Sequence, residues 1–262
     1  MKVSVIIPAY NCAKTIERAI DSVINQTIQV FEIIIINDGS TDNTQLIVNN
    51  YINQHNGYNI KLINKINEGV SKARNLGIKL SEGDYIAFLD SDDYWDLNKV
   101  KKQLQTFESN PNIDLLGTAR NNELFQSKFI VKLNKLSKIS SKTLLYKNFF
   151  STPSIMMKKS VVDEVGYFDE NQRYAEEGDY WIRICNKHEC YLLNESLMFT
   201  DDKPYYGHSG LSGNLKEMEK GELKNIKTAK KLKIINALEY NFLVCFSLLK
   251  YFRRIIISKL LR

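Results

Sequence analysis

Four short runs rich in β-branched and aromatic residues, Val3–Pro8, Phe31–Ile36, Ile60–Asn64 and Tyr85–Leu89, recur in the first part of the chain with helical patterns between them. Between the first two, Ala13–Asn25 places Ile16, Ala19, Ile20, Val23 and Ile24 on one face at the helical period. Further helices are expected from about Asn43 and over Ser71–Leu80, with Gly83-Asp84 turning into the fourth run. Strand–helix–strand alternation of this kind builds a mostly parallel sheet with right-handed crossovers, so the fold class is α/β. Ligands bind such sheets beyond the carboxyl ends of the strands. Asn11, Asp38, Asn67 and Asp90 all fall at those ends.

The fourth run leads into Asp90-Ser91-Asp92-Asp93, three carboxylates with no basic residue among them. A strand buried on both faces reads as a continuous apolar run, as Tyr85–Leu89 does. If strand geometry continues through Ser91, Asp90 and Asp92 share a face. Crowded carboxylates repel unless a cation lies between them, and hard divalent ions such as Mg²⁺ or Mn²⁺ suit oxygen ligands and bound phosphates. The other reading is an acidic turn before a helix expected to begin near Asp96.

Asn110-Pro111 ends that helix, and Ile113–Thr118 follows as a plausible strand. Residues 120–150 carry no clear period and are read as a variable, partly helical insertion that shapes a pocket. The domain organisation expected is a catalytic unit over 1–214, with a nucleotide-binding part (1–110) and an acceptor-binding part (111–214), then a basic helical tail over 215–262. Of 36 basic residues, 13 lie from Lys203 onward with only four of the 30 acidic ones, which leaves the front portion slightly acidic. That distribution argues against a nucleic-acid surface on the main domain and gives the tail a partner of its own. Cys12, Cys185, Cys190 and Cys245 have neither metal-ligand spacing nor disulfide density, which suits a reducing compartment. The opening Met1–Pro8 is too short an apolar run for a signal peptide and reads as a first strand.

Taken together, Val3-Ser4-Val5-Ile6-Ile7-Pro8-Ala9-Tyr10-Asn11, Asn37-Asp38-Gly39-Ser40-Thr41-Asp42, Gly69-Val70-Ser71-Lys72-Ala73-Arg74-Asn75-Leu76-Gly77 and Asp90-Ser91-Asp92-Asp93 resemble family 2 of the inverting glycosyltransferases, in that family's order. The resemblance implies a GT-A fold, a nucleotide-sugar donor, Mn²⁺ or Mg²⁺, and a glycan or glycolipid acceptor of the cell-surface type. It implies that Pro8, Ala9, Tyr10 and Asn11 lie around base and ribose, and that Asp38 contacts a uracil or thymine ring. Arg74 would offer planar donors to phosphate or to Asp38, with Asn75 beside it. Asp90 and Ser91 would sit near the ribose, and Asp92 with Asp90 at the metal. Thr41 and Asp42 are read as helix caps.

Further on, Tyr174-Ala175-Glu176-Glu177-Gly178-Asp179-Tyr180-Trp181 resembles the family's acidic pair before an aromatic helix. Glu177 stands where that family has an Asp as catalytic base, which leaves Glu176, Glu177 and Asp179 as candidates, some of them serving only the helix dipole. Trp181 is read as core or pocket wall, and His55 and His188 as unpaired surface residues. His208, Ser209 and Ser212 lie where relatives carry a loop over the diphosphate. A processive synthase would show Gln-x-x-Arg-Trp and membrane spans, and neither is present, so one sugar is moved per event, from a donor read as UDP-linked. The rival readings are a sugar-nucleotide nucleotidyltransferase, whose Gly-rich phosphate loop is missing after the first strand, and a non-catalytic nucleotide-sugar-binding scaffold. In the tail, Leu238, Phe242, Phe246 and Leu249 form an apolar stripe followed by Lys250, Arg253, Arg254, Lys259 and Arg262. Its uncharged stretch is far short of the ~20 residues of a membrane span. It is therefore expected to lie on anionic lipid at the cytoplasmic face of the cell membrane, with docking on the catalytic unit or homodimer formation as the alternative.

Overall fold

A computed structural model describes residues 1–126, 133–200 and 213–260. In chain order the first half comprises β1 (Val3–Ala9), α1 (Ile16–Ile24), β2 (Glu32–Asp38), α2 (Thr44–Gln54), β3 (Ile60–Lys65), α3 (Val70–Leu80), β4 (Tyr85–Phe88), β5 (Asp93–Trp95) and α4 (Lys99–Ser109). The second half adds β6 (Leu115–Arg120), β7 (Leu136–Lys138), α5 (Ser141–Tyr146), β8 (Met156–Lys158), α6 (Val161–Val165), α7 (Glu176–Cys185), β9 (Cys190–Thr200), α8 (Leu215–Lys231) and α9 (Ala237–Leu260). The strands form one sheet in the order β3-β2-β1-β4-β8-β6-β9-β5, with β7 also on β9. It is parallel from β3 to β4 and mixed beyond, where β8 runs antiparallel to both β4 and β6.

The apolar patterns explain the packing. All of β1 and β2 is buried, with Val5 flanked by Ile33 and Ala87 in register. Helix α1 buries Ile16, Ala19, Ile20, Val23 and Ile24, the face its spacing predicts. It begins at Ile16, later than expected, because the Cys12 carbonyl first accepts the Thr15 and Ile16 amides in a turn (both 3.0 Å). On the other side of the sheet, Phe88, Phe168, Tyr180 and Trp181 pack edge and face in one aromatic cluster. Each such fully buried aromatic contributes on the order of 1.5–3 kcal/mol through burial.

Three expectations need correction. Strand β4 ends at Phe88, and Asp90–Asp93 is a turn closed by the Asp93 amide on the Asp90 carbonyl at 3.0 Å, so Asp90 and Asp92 do not share a pleated face. The polar residues suit a turn better than a doubly buried strand, and the chain re-enters the sheet as β5, where Asp93 pairs with Thr200. Helix α4 starts at Lys99 and not near Asp96, because Asp96 Oδ1 accepts the Asn98 amide (2.9 Å) and holds a turn ahead of it. The two histidines are held in place: His55 stacks on Tyr51 at 4.1 Å, and the His188 side chain, only 12% exposed, lies 3.5 Å from Asp114.

Helix α8 approaches α7 closely. A Cβ on Gly221 would lie 2.2 Å from the Tyr174 carbonyl, so only glycine fits there. Helix α9 packs on α8 by burying Leu243 and Ser247, and its Arg254 bonds Glu222 (2.7 Å) and Glu219 (3.0 Å). Its outer side exposes Leu238, Phe242, Leu249, Phe252 and Ile256. This modifies the expected stripe: Phe246 leans on Tyr146, and Lys250 and Arg254 turn inward to Glu222. Among the described residues no helix is long and apolar enough to cross a membrane.

Candidate active site

The carboxyl ends of β1, β2 and β4 converge as expected. Pro8 and Ala9 are buried strand residues, while Tyr10 stands half exposed above them. Asn11 adopts a left-handed backbone (φ 48) and its Oδ1 accepts the Thr41 amide at 2.8 Å, locking the end of β1 to the β2–α2 loop. Neither expected cap takes the N-cap place of α2, which is Asn43 with no side-chain cap bond: Asp42, one residue before it, accepts the Thr44 amide at 3.0 Å, and Thr41 donates its amide to Asn11. Asp38 is buried, and its carboxylate takes Lys65 Nζ (2.6 Å) and the amides of Glu68 (3.0 Å) and Gly69 (2.8 Å). It thereby fastens the loop after β3 to the end of β2. Gly39, at φ +72 and with room for no Cβ against the Asn67 amide, makes that approach possible.

Arg74 does not reach Asp38 by hydrogen bond. From α3 it bridges Asp90 (2.8 Å) and Glu176 (2.9 Å), the latter 102 positions away in sequence, joining the turn after β4 to α7. Burial works against its charge, but Asp90 and Glu176 outweigh that and hold the guanidinium protonated. Asn75 does not join this group. Its amide donates to the Phe168 carbonyl and Glu170 (both 3.0 Å) and accepts the Phe168 amide (2.9 Å), making it a strut for the segment before α7.

The three acids of α7 separate by environment. Glu176 is bound by Arg74. Asp179 is buried on Arg183 at 2.7 Å, whose remaining donors hold the Val165 and Tyr167 carbonyls, so this pair braces the helix. Among the described residues Glu177 makes no such ion pair, and the charge of Arg74 only partly offsets its surroundings. Desolvation, then the charge of Glu176 within hydrogen-bond reach, pushes its carboxyl up to about 8. It lines a cavity of about 230 Å³. The turn that aims these acids passes through Ala175 in a left-handed conformation (φ 52), held by Gln172 (3.1 Å) and by Asn225 of α8 (2.9 Å) on its carbonyl. Neither Gln172 nor Asn225 stands out in the sequence, since isolated amides carry no motif. Arg18 is equally illegible there: it reaches from α1 to the Asp92 carbonyl at 2.8 Å and lies over the Tyr94 ring. His208, Ser209 and Ser212 lie outside the described residues.

Residues 4–166 match the family described as glycosyl transferase family 2. The chain belongs to that family. A relative, UDP-Glc:alpha-D-GlcNAc-diphosphoundecaprenol beta-1,3-glucosyltransferase WfaP of Escherichia coli, is 32% identical over 187 residues, covering 71% of this chain and 70% of WfaP. Uncharacterized glycosyltransferases of Rickettsia bellii, R. typhi and R. felis are 37%, 34% and 36% identical, and the chain spans 26%, 62% and 32% of their lengths. Staphylococcus aureus TarS, crystallised with UDP-GlcNAc, superposes with a TM-score of 0.70 at 20% identity, covering 97% of this chain and 72% of that one. The mannosyltransferase PcManGT of Pyrobaculum calidifontis, in complex with GDP-Man and Mn²⁺, gives 0.69 at 14% identity, over 94% of this chain and 72% of its own. The expected GT-A-like architecture is therefore the one present, with α8 and α9 following it.

The donor set of this family 2 site bears on a metal. Asp90 keeps one carboxylate oxygen beyond its bond to Arg74, and Asp92 lies two residues on in the same half-buried turn. Among the described residues no third acidic, histidine or cysteine ligand completes a cage. Two hard carboxylates without a third fit an ion that takes its other ligands from substrate phosphates and water, as Mg²⁺ does.

Proposed function

We propose that this chain is an inverting, non-processive glycosyltransferase that moves one sugar from a UDP-linked donor to a hydroxyl of a lipid-linked or cell-surface glycan. The observation that carries the reading is the bridge Asp90–Arg74–Glu176, which ties the donor edge to the helix bearing Glu177, an acid of α7 that makes no ion pair among the described residues. The names of WfaP and TarS's bound UDP-GlcNAc support a UDP donor, and WfaP's diphosphoundecaprenol acceptor supports a lipid-linked one.

In this reading the nucleotide lies over Pro8–Asn11, Asp38 and Asp90, with Ser91 in the same turn. Asp38 keeps one lone pair for a base or ribose group after its three internal bonds. Asp92 and Asp90 would hold Mn²⁺ or Mg²⁺, which when bound offsets charge on the diphosphate. Glu177 takes the proton of the acceptor hydroxyl as general base. The oxygen attacks the anomeric carbon, the bond to the diphosphate breaks, and its electron pair leaves with the nucleoside diphosphate. Arg74 holds Glu176 in place at 2.9 Å, and Glu176 in turn orients Glu177.

The test is nucleotide release from UDP-glucose, UDP-GlcNAc and GDP-mannose with Mn²⁺ and lipid-linked saccharide acceptors. Glu177→Gln should lower turnover by about 10²–10⁴-fold while donor affinity stays near wild type. If Asp179→Asn is the inactive variant and Glu177→Gln is active, the base assignment is wrong.

A further inference from the structure

We infer that Arg18 of α1 is a positioning residue that sets the divalent-cation affinity of the turn after β4, by fixing the backbone that carries the Asp92 carboxylate. The inference rests on the glycosyltransfer reading above and on its assignment of Asp90 and Asp92 to Mn²⁺ or Mg²⁺. Two carboxylates that share an ion must keep their spacing, and here the sheet does not set it. Strand β4 ends at Phe88 and β5 begins at Asp93, so both acids lie between strands. Helices hold them instead. From α3, Arg74 takes the Asp90 carboxylate at 2.8 Å. From α1, Arg18 donates through a terminal guanidinium nitrogen to the Asp92 carbonyl, also at 2.8 Å. A bond from a charged donor is roughly twice as strong as a neutral one.

Arg18 is itself supported. Its guanidinium lies over the Tyr94 ring, 4.9 Å from the centre, and Tyr94 stacks on Phe199 of β9 at 5.2 Å. Just past the other end of α1, Gln26 donates to the Asp96 carbonyl (2.7 Å) and accepts the Val100 amide (2.9 Å), and the Thr27 amide donates to the Leu97 carbonyl (3.0 Å). The helix and its end thus hold the chain from Asp92 to Val100 along its length, with Arg18 as the hold nearest the site. Arg18 also borders a cleft of about 250 Å³ that Asn11, Asp38, Asp90 and Asp92 do not line. It therefore acts on a cation through Asp92, and not as a ligand of the nucleotide.

The experiment measures Mn²⁺ binding to the full chain by electron paramagnetic resonance, with UDP or GDP in excess, and UDP binding in EDTA by calorimetry. Arg18→Met keeps an unbranched helix-forming side chain but no donor. It should weaken Mn²⁺ by roughly 10–100-fold, the range for residues that orient metal ligands, while UDP affinity in EDTA stays near wild type. Arg18→Lys restores a charged donor and should recover part of the loss. Tyr94→Leu leaves Arg18 present but removes its support. It should weaken Mn²⁺ by a smaller factor, and it carries the test if Arg18→Met does not fold. Mn²⁺ affinity unchanged in the folded variant overturns the proposal. So does a loss that UDP affinity in EDTA matches, because a merely structural role moves both. Failure of the underlying metal reading shows separately, as wild type that binds no Mn²⁺ with either nucleotide, and the proposal falls with it.

Discussion

At the scale of single residues, two ionisable groups, the half-buried Glu177 and the fully buried Lys99, make the molecule's stability depend on pH in opposite directions. Glu177 sits near the ordinary ~4.3 in an unfolded chain but is pushed up to about 8 when folded. Folding therefore takes up a proton between those values, and the stabilisation this carboxyl permits below ~4 is lost as pH rises through about 8. Glu177→Gln should melt above wild type at pH ~9 and with it at pH ~4, even though it is inactive; wild-type turnover should climb toward the same pH of about 8. A variant melting at or below wild type at the higher pH would show that the carboxyl is not desolvated. Lys99 is the other case. It is fully buried, its Nζ bonded to Gln103 at 2.8 Å and lying 4.0 Å from the centre of the Trp95 ring, and burial pushes its amine well below its usual range. The unfolded chain holds more protons there, so stability rises with pH toward ~10.4. Lys99→Met should raise the melting temperature near neutrality, at roughly 2–4 °C per kcal/mol gained, with the advantage fading toward pH ~10. No gain at neutral pH would count against an uncompensated amine.

At the scale of elements, the two C-terminal helices serve different ends. Helix α8 supports the proposed active site, because Asn225 holds the Ala175 carbonyl just before the acids of α7 and Gly178 leaves it space to do so. Helix α9 covers α8 on one side and on the other exposes Leu238, Phe242, Leu249, Phe252 and Ile256, successive steps of four, seven, three and four residues that keep to one face. An amphipathic helix with that outer face suits the boundary of a bilayer. Arg253 remains exposed beside it, although Lys250 and Arg254 face α8. Full-length protein should float with anionic liposomes, and Phe242→Ser/Leu249→Ser/Phe252→Ser, altering only exposed positions, should not. Equal flotation of both would assign the stripe another role. The helices and longer strands of the first half were legible because a strand buried on both faces reads as a continuous apolar run and a helix packed on a sheet shows the 3.6 period. The short β5, β7 and β8 were not, since three residues are too few to display a period.

At the scale of the whole molecule, a ligand that binds only the folded chain should raise its apparent stability, by about 2.7 kcal/mol at a hundred times its dissociation constant. UDP with Mn²⁺ should therefore lift the melting temperature by several degrees, and EDTA or Asp92→Asn should remove most of that lift. A UDP shift indifferent to both would remove the metal from the proposal. The positions of Asn11, Asp38 and Asp90 could be read ahead because they follow apolar strands. The partners of Arg74 could not, because Glu176 is brought to it by the fold of everything between them. That distance has a consequence for how the protein is made. In the proposed assignment the residues of the nucleotide edge up to Asp92 are translated first, Glu177 later and Asn225 later still. At ~5–20 residues per second, the growing chain spends on the order of ten seconds with Arg74 lacking one of its two carboxylates and with no acid to draw a proton from an acceptor. In the proposed mechanism, donor cannot be consumed before the segment carrying Glu176 and Glu177 has been made and joined to Arg74.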